Sequence, residues 1–321
     1  METLLLTRSE VKLLLNAQEI YQLLLDAFID HSKAEQIRSQ RVRSLLPNEE
    51  SSAVVLFPGL ASSIPAYTVK VHAKYPKQSP SINGVIHLHD LKTGGLLAIM
   101  DSTYITAVRT GISGVIGTNS LANKDAEELT IIGAGVQGQM HLNYLRSYRT
   151  IKRVRVFDTD PNKANEFAER MDHKEKIEFM IAESIEEAVK ESELIFSATW
   201  SKQPFLFSSM ISDGAHITAI GADEPGKSEL SADLIKRAYF VCDDRKLVSE
   251  MGAIAGARLV QTAIDAEIGE IIHSEQRGRK VSEKVTIYAP VGLAFQDLIC
   301  AWYVYEQAKK KNVGNVVSFL K

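Results

Sequence analysis

The sequence predicts an α/β protein in which a doubly wound parallel sheet is joined to a second, discontinuous α+β domain. Three observations predict it. The apolar, β-branched run Leu129 to Ile132 leads directly into a glycine-rich turn, Gly133, Gly135 and Gly138. Beyond that turn strand-like runs alternate with helical ones, the pattern of parallel strands joined by crossover helices. Ahead of it five strand-like runs follow one another, and the last two are joined by a hairpin turn.

The glycine turn carries most of the functional signal. Leu129 to Ile132 reads as a strand buried on both faces, and the glycines fill a G-x-G-x-x-G frame. Gly133 permits the tight turn, Gly135 lets the backbone approach a pyrophosphate, and Gly138 lets the next helix pack close to the sheet. With Val136 and Gln137 they bring free N–H groups to the positive end of a helix, Gln137 to Tyr148. A second strand, Val154 to Phe157, ends in Asp158, 20 residues past the last glycine. A carboxylate there accepts both hydroxyls of an adenosine ribose, so the stretch reads as a dinucleotide site rather than a structural turn. The acid would repel a 2′-phosphate, which favours NAD over NADP.

A length of 321 residues suffices for two domains, each with its own core. With 45% hydrophobic residues, 24% charged and a net charge of −3, nothing calls for nucleic acid. Lys309 to Lys311 reads as a solvated helix end. Met1 to Leu15 carries Glu2, Arg8, Glu10 and Lys12 and does not read as a signal peptide, and no apolar run reaches the roughly 20 residues that span a bilayer. Cys242 and Cys300 lack metal spacing, so a reducing cytoplasm is the expected compartment.

In chain order, Ser9 to Leu15 and Ala17 to Lys33 read as helices, the second with Ile20, Leu23, Leu24, Ala27 and Phe28 at helical spacing. They would cover a sheet built from Val42 to Leu46, Ala53 to Phe57, Tyr67 to Tyr75, Gly84 to His89 and Leu96 to Met100, with Lys92 to Gly95 turning the last pair. Thr103 to Leu121 is helical. Its glycines at 111, 114 and 117 each cost about 1 kcal/mol of helix stability, so they imply close approach to a neighbour or to the cofactor. After the first two strands of the parallel sheet come Glu178 to Ile181, a helix from Ser184 to Glu191, Leu194 to Thr199, His216 to Ile220 and Tyr239 to Cys242. Leu247 to Gly278 reads as helical, Val285 to Tyr288 as a last strand, and Leu293 to about Lys310 as a long helix returning to the first domain.

Five positions could carry chemistry besides the turn. Arg41 and Arg43 sit among apolar strand neighbours, and Lys70 shares a strand face with His72. They are either edge charges facing water or cations with a buried partner. Arg109 is open to three readings, as a surface charge, a phosphate clamp or a carboxylate clamp. Asp223, in G-A-D-E-P-G-K, follows the strand His216 to Ile220. Loops at the carboxyl ends of parallel strands line the ligand crevice, so it suits acid–base work; the other reading is a turn-former or cap. His87 and His89 alternate on one strand face but have no third metal ligand at sensible spacing, and read as interior or interface histidines.

The sequence resembles the ornithine cyclodeaminase/mu-crystallin family. The resemblance is carried by V-R-S-L-L-P (Val42 to Pro47), Y-T-V-K (Tyr67 to Lys70), L-A-I-M-D-S-T-Y-I-T-A-V-R-T-G (Leu97 to Gly111), G-A-G-V-Q-G, G-A-D-E-P-G-K-S-E-L (Gly221 to Leu230) and V-G-L-A-F-Q-D (Val291 to Asp297). These run through nearly the whole chain in the family's order. The resemblance implies a Rossmann domain over residues 123–292 that binds NAD(P), and a substrate-binding and dimerisation domain made of 1–122 and 293–321, in a homodimer. It implies that Lys70 contacts the carboxylate of a small amino or imino acid substrate, that Arg109 clamps it and that Arg43 adds a third basic contact. Asp223 matches an acid that serves the amino group or a water. The implied cofactor contacts extend to Arg109, Thr110, Thr199, Gly221, Val291 and Gly292.

Three departures from the family pattern bear on the substrate. Ornithine cyclodeaminases carry a glutamate where this chain has Val55, many members carry a threonine where it has Gly84, and the common D-S-x-G or K-S-x-G reads Ala289-Pro290-Val291-Gly292. The loss of the glutamate argues against a diamine. The expected function is therefore an NAD-dependent amino or imino acid oxidoreductase, of alanine dehydrogenase or ketimine reductase type, with ornithine cyclodeaminase as the alternative. A mu-crystallin-like binding protein is the alternative of another class, against which the retention of Arg43, Lys70, Arg109 and Asp223 together argues. The role given to Asp158 predicts a higher kcat/KM with NADH than with NADPH; equal values would overturn it.

Overall fold

The computed structural model describes residues 2–33, 41–46, 53–75, 78, 80–171, 177–274 and 284–318. Pro47 and Gly278, each the end of a segment singled out above, lie outside the described residues. The first half of the chain forms β1 (Thr3–Leu6), α1 (Arg8–Leu14), α2 (Ala17–Lys33), β2 (Val42–Leu45), β3 (Ala53–Gly59), β4 (Ala66–Lys74), β5 (Ile82–Asp90), β6 (Leu96–Asp101) and α3 (Ser102–Leu121). There follow β7 (Glu128–Ile132), α4 (Val136–Leu145), β8 (Arg153–Phe157), α5 (Pro161–Met171), β9 (Glu178–Ile181), α6 (Ile185–Val189), β10 (Leu194–Ser197) and β11 (His216–Ala219). The chain closes with α7 (Ala232–Arg237), β12 (Tyr239–Cys242), α8 (Arg245–Met251), α9 (Ala253–Gly256), β13 (Ala266–Glu267), α10 (Ile268–His273), β14 (Thr286–Tyr288), α11 (Ala294–Lys311) and β15 (Asn315–Val317). Among the described residues no helix is long and apolar enough to cross a membrane.

The chain divides into two compact units. Unit 1 holds residues 1–27, 33–109 and 293–321, and unit 2 holds 28–32 and 110–292, so one boundary falls inside α3.

In unit 1 the described strands form one mixed sheet in the order β15-β1-β6-β5-β4-β3-β2. β2 to β6 pair as antiparallel neighbours in sequence order, and β4 is buried at every second residue, as a strand with one face on a core must be. The hairpin between β5 and β6 is set by Asp90, whose carboxylate accepts the N–H groups of Lys92 and Thr93 and the hydroxyl of Thr93, while Gly94 takes φ +71°. α1 begins with a capping box between Thr7 and Glu10. The sequence reading missed β1 and β15. Both are short; β15 is the edge strand, and Thr3–Leu6, between it and β6, becomes a strand because β6 offers it a parallel partner. Gly59 lets the end of β3 approach α11: a Cβ there would lie 2.6 Å from the Ala294 carbonyl oxygen.

In unit 2 the sheet order is β13-β12-β14-β11-β10-β7-β8-β9, and every pairing is parallel. β10, β11 and β14 are buried throughout, as strands covered on both faces should be. The strand order reverses between β7 and β10. Carboxyl ends at such a reversal leave a crevice between diverging loops. The reading of Leu247 to Gly278 as helical is corrected: α8, α9, a 3₁₀ turn at Gln261–Ala263, β13 and α10 occupy its described part, and Arg258 breaks the run by taking φ +55°.

The glycines of α3 face protein, which settles their two readings in favour of a neighbour. A Cβ at Gly111 would lie 2.9 Å from that of Met140, one at Gly114 would lie 2.9 Å from His141 Nδ1, and one at Gly117 would lie 2.0 Å from Tyr288 Cδ1. Tyr288 is fully buried and its hydroxyl hydrogen-bonds with Ser113 at 3.1 Å, so it has nowhere to go. Gly117→Ala gains about 1 kcal/mol of helix propensity but loses about 1–3 kcal/mol to overpacking. Urea unfolding of this variant should therefore show a net loss of stability; a gain would show that Tyr288 can move.

Candidate functional site

In unit 2 the three glycines of the turn do three different things. Gly133 takes φ +98°, and a Cβ there would lie 2.6 Å from the Ala198 carbonyl oxygen. Gly138 allows close packing: its Cβ would lie 2.8 Å from the Gly133 oxygen and 3.0 Å from Ile131 Cγ2. Gly135 is the N-cap of α4, makes no side-chain cap, and a Cβ on it would meet nothing within 4 Å. An open space over an uncapped helix N-terminus, beside Val136 and Gln137, is the cradle a pyrophosphate requires. Asp158 follows β8, and its carboxylate is anchored, Oδ2 by the Ala134 N–H at 2.9 Å and Oδ1 by the Asp160 N–H at 3.0 Å. Both donors are neutral and a carboxylate has about four acceptor positions, so charge and capacity remain for ribose hydroxyls.

The other loops at this end of the sheet are held by two carboxylates that the sequence reading did not single out. Thr199 and Gly221, after β10 and β11, both donate to Glu229. Val291 and Gly292, after β14, donate to Asp243 at 3.0 and 2.7 Å. Burial pushes the Asp243 acid up to about 6, against those two N–H groups. Asp223 is half-buried, and its Oδ1 accepts Lys227 Nζ at 2.8 Å. The Lys227 ammonium lies 4.0 Å over the Trp200 ring. Burial works to lower its pKa, but the carboxylates of Asp223 and Glu224 outweigh it and the charge is retained. Asp223 thus presents its side chain to the Lys227 ammonium.

In unit 1 the structure rejects the edge-charge reading of Lys70. The residue lies on β4 between Phe57 and Ile86 in register, and it is fully buried. Its Nζ donates to Asp297 Oδ2 on α11 at 2.6 Å and to Thr106 Oγ1 at 3.4 Å, and lies 4.3 Å from the centre of the Phe57 ring. Arg109, also buried on α3, donates through Nε to Asp297 Oδ1 at 3.2 Å and through a terminal nitrogen to Gln296 Oε1 at 3.1 Å. Arg41 reaches the Phe57 ring at 4.5 Å. Burial pulls the pKa of Lys70 down to about 7, opposed by Asp297 and reinforced by Arg109. Asp297 would be raised by burial, but the two cations hold it below the usual carboxylate range.

Arg43 occupies the next row on the same face of this sheet, two residues along β4 from Lys70; the row reads Arg43, Val55, His72, Gly84 across four strands. Two of the three departures therefore flank His72. A Cβ at Gly84 would lie 2.1 Å from the Val71 carbonyl oxygen, so a threonine there would require β5 to draw away from β4. Thr110, half-buried, follows Arg109 in α3 and opens the long segment of unit 2. His89 stacks on Tyr67 at 4.8 Å and contacts the Gly94 carbonyl, a role in the hairpin. The signal that could have found Asp297 is an acid among Leu298, Cys300, Ala301 and Val304 on a buried helix face, because acids are seldom buried without a partner.

A parallel sheet that reverses at an uncapped glycine turn, with an anchored acid at the end of the next strand, defines a Rossmann-like α/β protein. The chain belongs to the ornithine cyclodeaminase/mu-crystallin family, whose model matches residues 1–312. It is 31% identical over 326 residues to the Delta(1)-pyrroline-2-carboxylate reductase of Bacillus cereus, a match covering 98% of this chain and 100% of that one. Among solved structures it is similar to the Thermococcus litoralis Delta(1)-pyrroline-2-carboxylate reductase in complex with NADH and L-proline, with a TM-score of 0.90, 31% identity and coverage of 98% and 99%. An archaeal alanine dehydrogenase dimer with bound NAD is as similar, with a TM-score of 0.90, 31% identity and both chains fully covered.

Asp297→Ala would leave two buried cations without their shared countercharge and should lower stability by about 3–5 kcal/mol. In the native chain Lys70 gains its proton as pH falls through about 7. In the variant the folded-state pKa of Lys70 falls further, so the folded chain resists that proton while the unfolded chain keeps it. The stability deficit should therefore grow as pH falls through 7; urea unfolding between pH 6 and 9 with a constant deficit would overturn the pairing.

Proposed function

We propose that this protein is an NAD-dependent oxidoreductase acting at the α-carbon of a small L-amino acid or its imine, of alanine dehydrogenase or ketimine reductase type. The observation that carries this reading is the cluster of Lys70, Arg109 and Asp297. Two cations sharing one carboxylate leave a net positive charge in a desolvated place, which suits the α-carboxylate of such a substrate. Lys70 and Arg109 bind that carboxylate, Arg43 adds a contact, and Asp297 orients both cations. Lys70, with a pKa brought near neutrality, can also hold or release a proton at Nζ.

The cofactor site is formed by Gly133, Gly135, Val136, Gln137 and Gly138 for the pyrophosphate, Asp158 for the adenosine ribose, and Arg109, Thr110, Thr199, Gly221, Val291 and Gly292 for the rest. NAD, when bound, supplies the hydride acceptor or donor. Asp223 takes the proton of the substrate amine or activates a water at the imine carbon, with Lys227 fixing its carboxylate. A homodimer is the proposed assembly, in keeping with the dimeric relative, and free, buried Cys242 and Cys300 suit a reducing cytoplasm.

Val55, buried and apolar between Arg43 and His72, favours a substrate without a side-chain ammonium over ornithine. The test is to supply L-alanine or L-ornithine with NAD, and pyrroline-2-carboxylate with NADH, following products by mass spectrometry. NADH formed with pyruvate, or proline formed with NADH consumed, supports the reading. Proline and ammonia from ornithine without net NADH would establish the cyclodeaminase instead, and silence with all three alongside tight NADH binding would favour a binding protein. Lys70→Ala should raise the substrate KM at least tenfold with little change in NADH affinity, and Asp223→Asn should lower kcat by about 10².

A further inference from the structure

We propose that Glu229 is a positioning residue for the dinucleotide: its carboxylate locks together the two loops that contribute Thr199 and Gly221, and so sets cofactor affinity without touching the cofactor. The inference rests on the dinucleotide reading of unit 2. Glu229 is 1% exposed, and four donors from three residues converge on it. Oε1 accepts the N–H and the hydroxyl of Thr199, both at 2.8 Å; Oε2 accepts the Gly221 N–H at 2.8 Å and the Ser197 hydroxyl at 3.0 Å. A carboxylate has about four acceptor positions, so none remains for a ligand.

The carboxylate is itself fixed from behind. The Glu229 carbonyl accepts the N–H groups of Phe205 and Leu206, each at 3.0 Å, and Leu206 bridges to Leu230. Gly221 is where the packing is tightest: a Cβ there would lie 2.3 Å from Glu229 Oε1 and 2.7 Å from the Thr199 carbonyl oxygen. β10 and β11 are adjacent, and β10 borders β7 where the strand order reverses. One side chain thus ties both loops beside the crevice of a doubly wound sheet. Burial raises the pKa of this acid, and the Thr199, Gly221 and Ser197 donors oppose it.

The distribution of donors makes the proposal testable by an isosteric change. Each oxygen receives one backbone N–H and one hydroxyl. A hydroxyl can rotate to accept from an amide, but a backbone N–H cannot. In Glu229→Gln, whichever way the amide is turned, its NH₂ faces the N–H of either Thr199 or Gly221 and one loop is released. Ser197→Ala removes a hydroxyl donor and leaves both loop N–H groups in place.

NADH binding is measured by fluorescence titration of the full chain, with far-UV circular dichroism and thermal unfolding as controls. Glu229→Gln should raise the NADH Kd at least about tenfold. It should raise the KM for the dinucleotide and leave the KM for the amino or imino acid within twofold. Amide hydrogen exchange should accelerate at Thr199 or Gly221. Ser197→Ala should stay within about threefold of the native Kd. If Glu229→Gln does not fold, Glu229→Asp, whose carboxylate is one methylene short of the two loops, takes its place with the same expected loss. A folded variant that binds NADH within twofold of the native protein would overturn the proposal, as would equal increases in both KM values. Failure of the native protein to bind NADH at all would instead overturn the cofactor reading beneath it.

Discussion

The carboxylate of Asp297 allows Lys70 and Arg109 to lie side by side away from water. Two unit charges a few ångströms apart repel by about 4 kcal/mol even at an effective dielectric constant of 20, and each also loses its hydration. One acid on α11 meets both, one oxygen to each cation, and Gln296 takes a remaining donor of Arg109. The packing of unit 1 follows from this. β3 and β4 turn their inner faces to α11, Phe57 fills the space beside the ammonium, and Gly59 admits the backbone of Ala294. The arrangement is stable but not saturated in charge, and a site prepared for an anion has that property.

Unit 2 uses the same kind of group for a different purpose. Asp158, Glu229 and Asp243 accept backbone N–H groups from the loops that follow β7, β10, β11 and β14. Loops at strand ends have few apolar contacts to hold them, so their positions depend on directed bonds. A carboxylate that gathers N–H groups from two loops fixes their separation to within a few tenths of an ångström. The glycines act in concert with these acids. Gly133 and Gly221 bring backbones close enough for the bonds to form, and Gly135 leaves open the space over the N-terminus of α4.

The departures from the family pattern acquire a common location in the fold. Val55 and Gly84 are both register neighbours of His72, two residues along β4 from Lys70. An apolar side chain and a bare backbone stand there, while the buried cations Lys70 and Arg109 stand nearby with their shared acid.

Much of this was legible before any coordinates. The turn at Gly133, Gly135 and Gly138, the acid at Asp158 and the alternation of strands and helices depend on backbone requirements that neighbouring residues express, so the sequence by itself determined the parallel sheet and its crevice. The glycines of α3 likewise announced a close approach, though not that Met140, His141 and Tyr288 would be approached. The partnership of Lys70 with Asp297 spans 227 residues, and that of Thr199 with Glu229 spans 30. No local spacing encodes either one. β1 and β15 are strands because an open sheet edge was available to them, a circumstance their own residues cannot express. Tertiary structure alone decided which charges were buried and with whom, because the free energy of a charge out of water depends on partners that only the folded chain brings within reach.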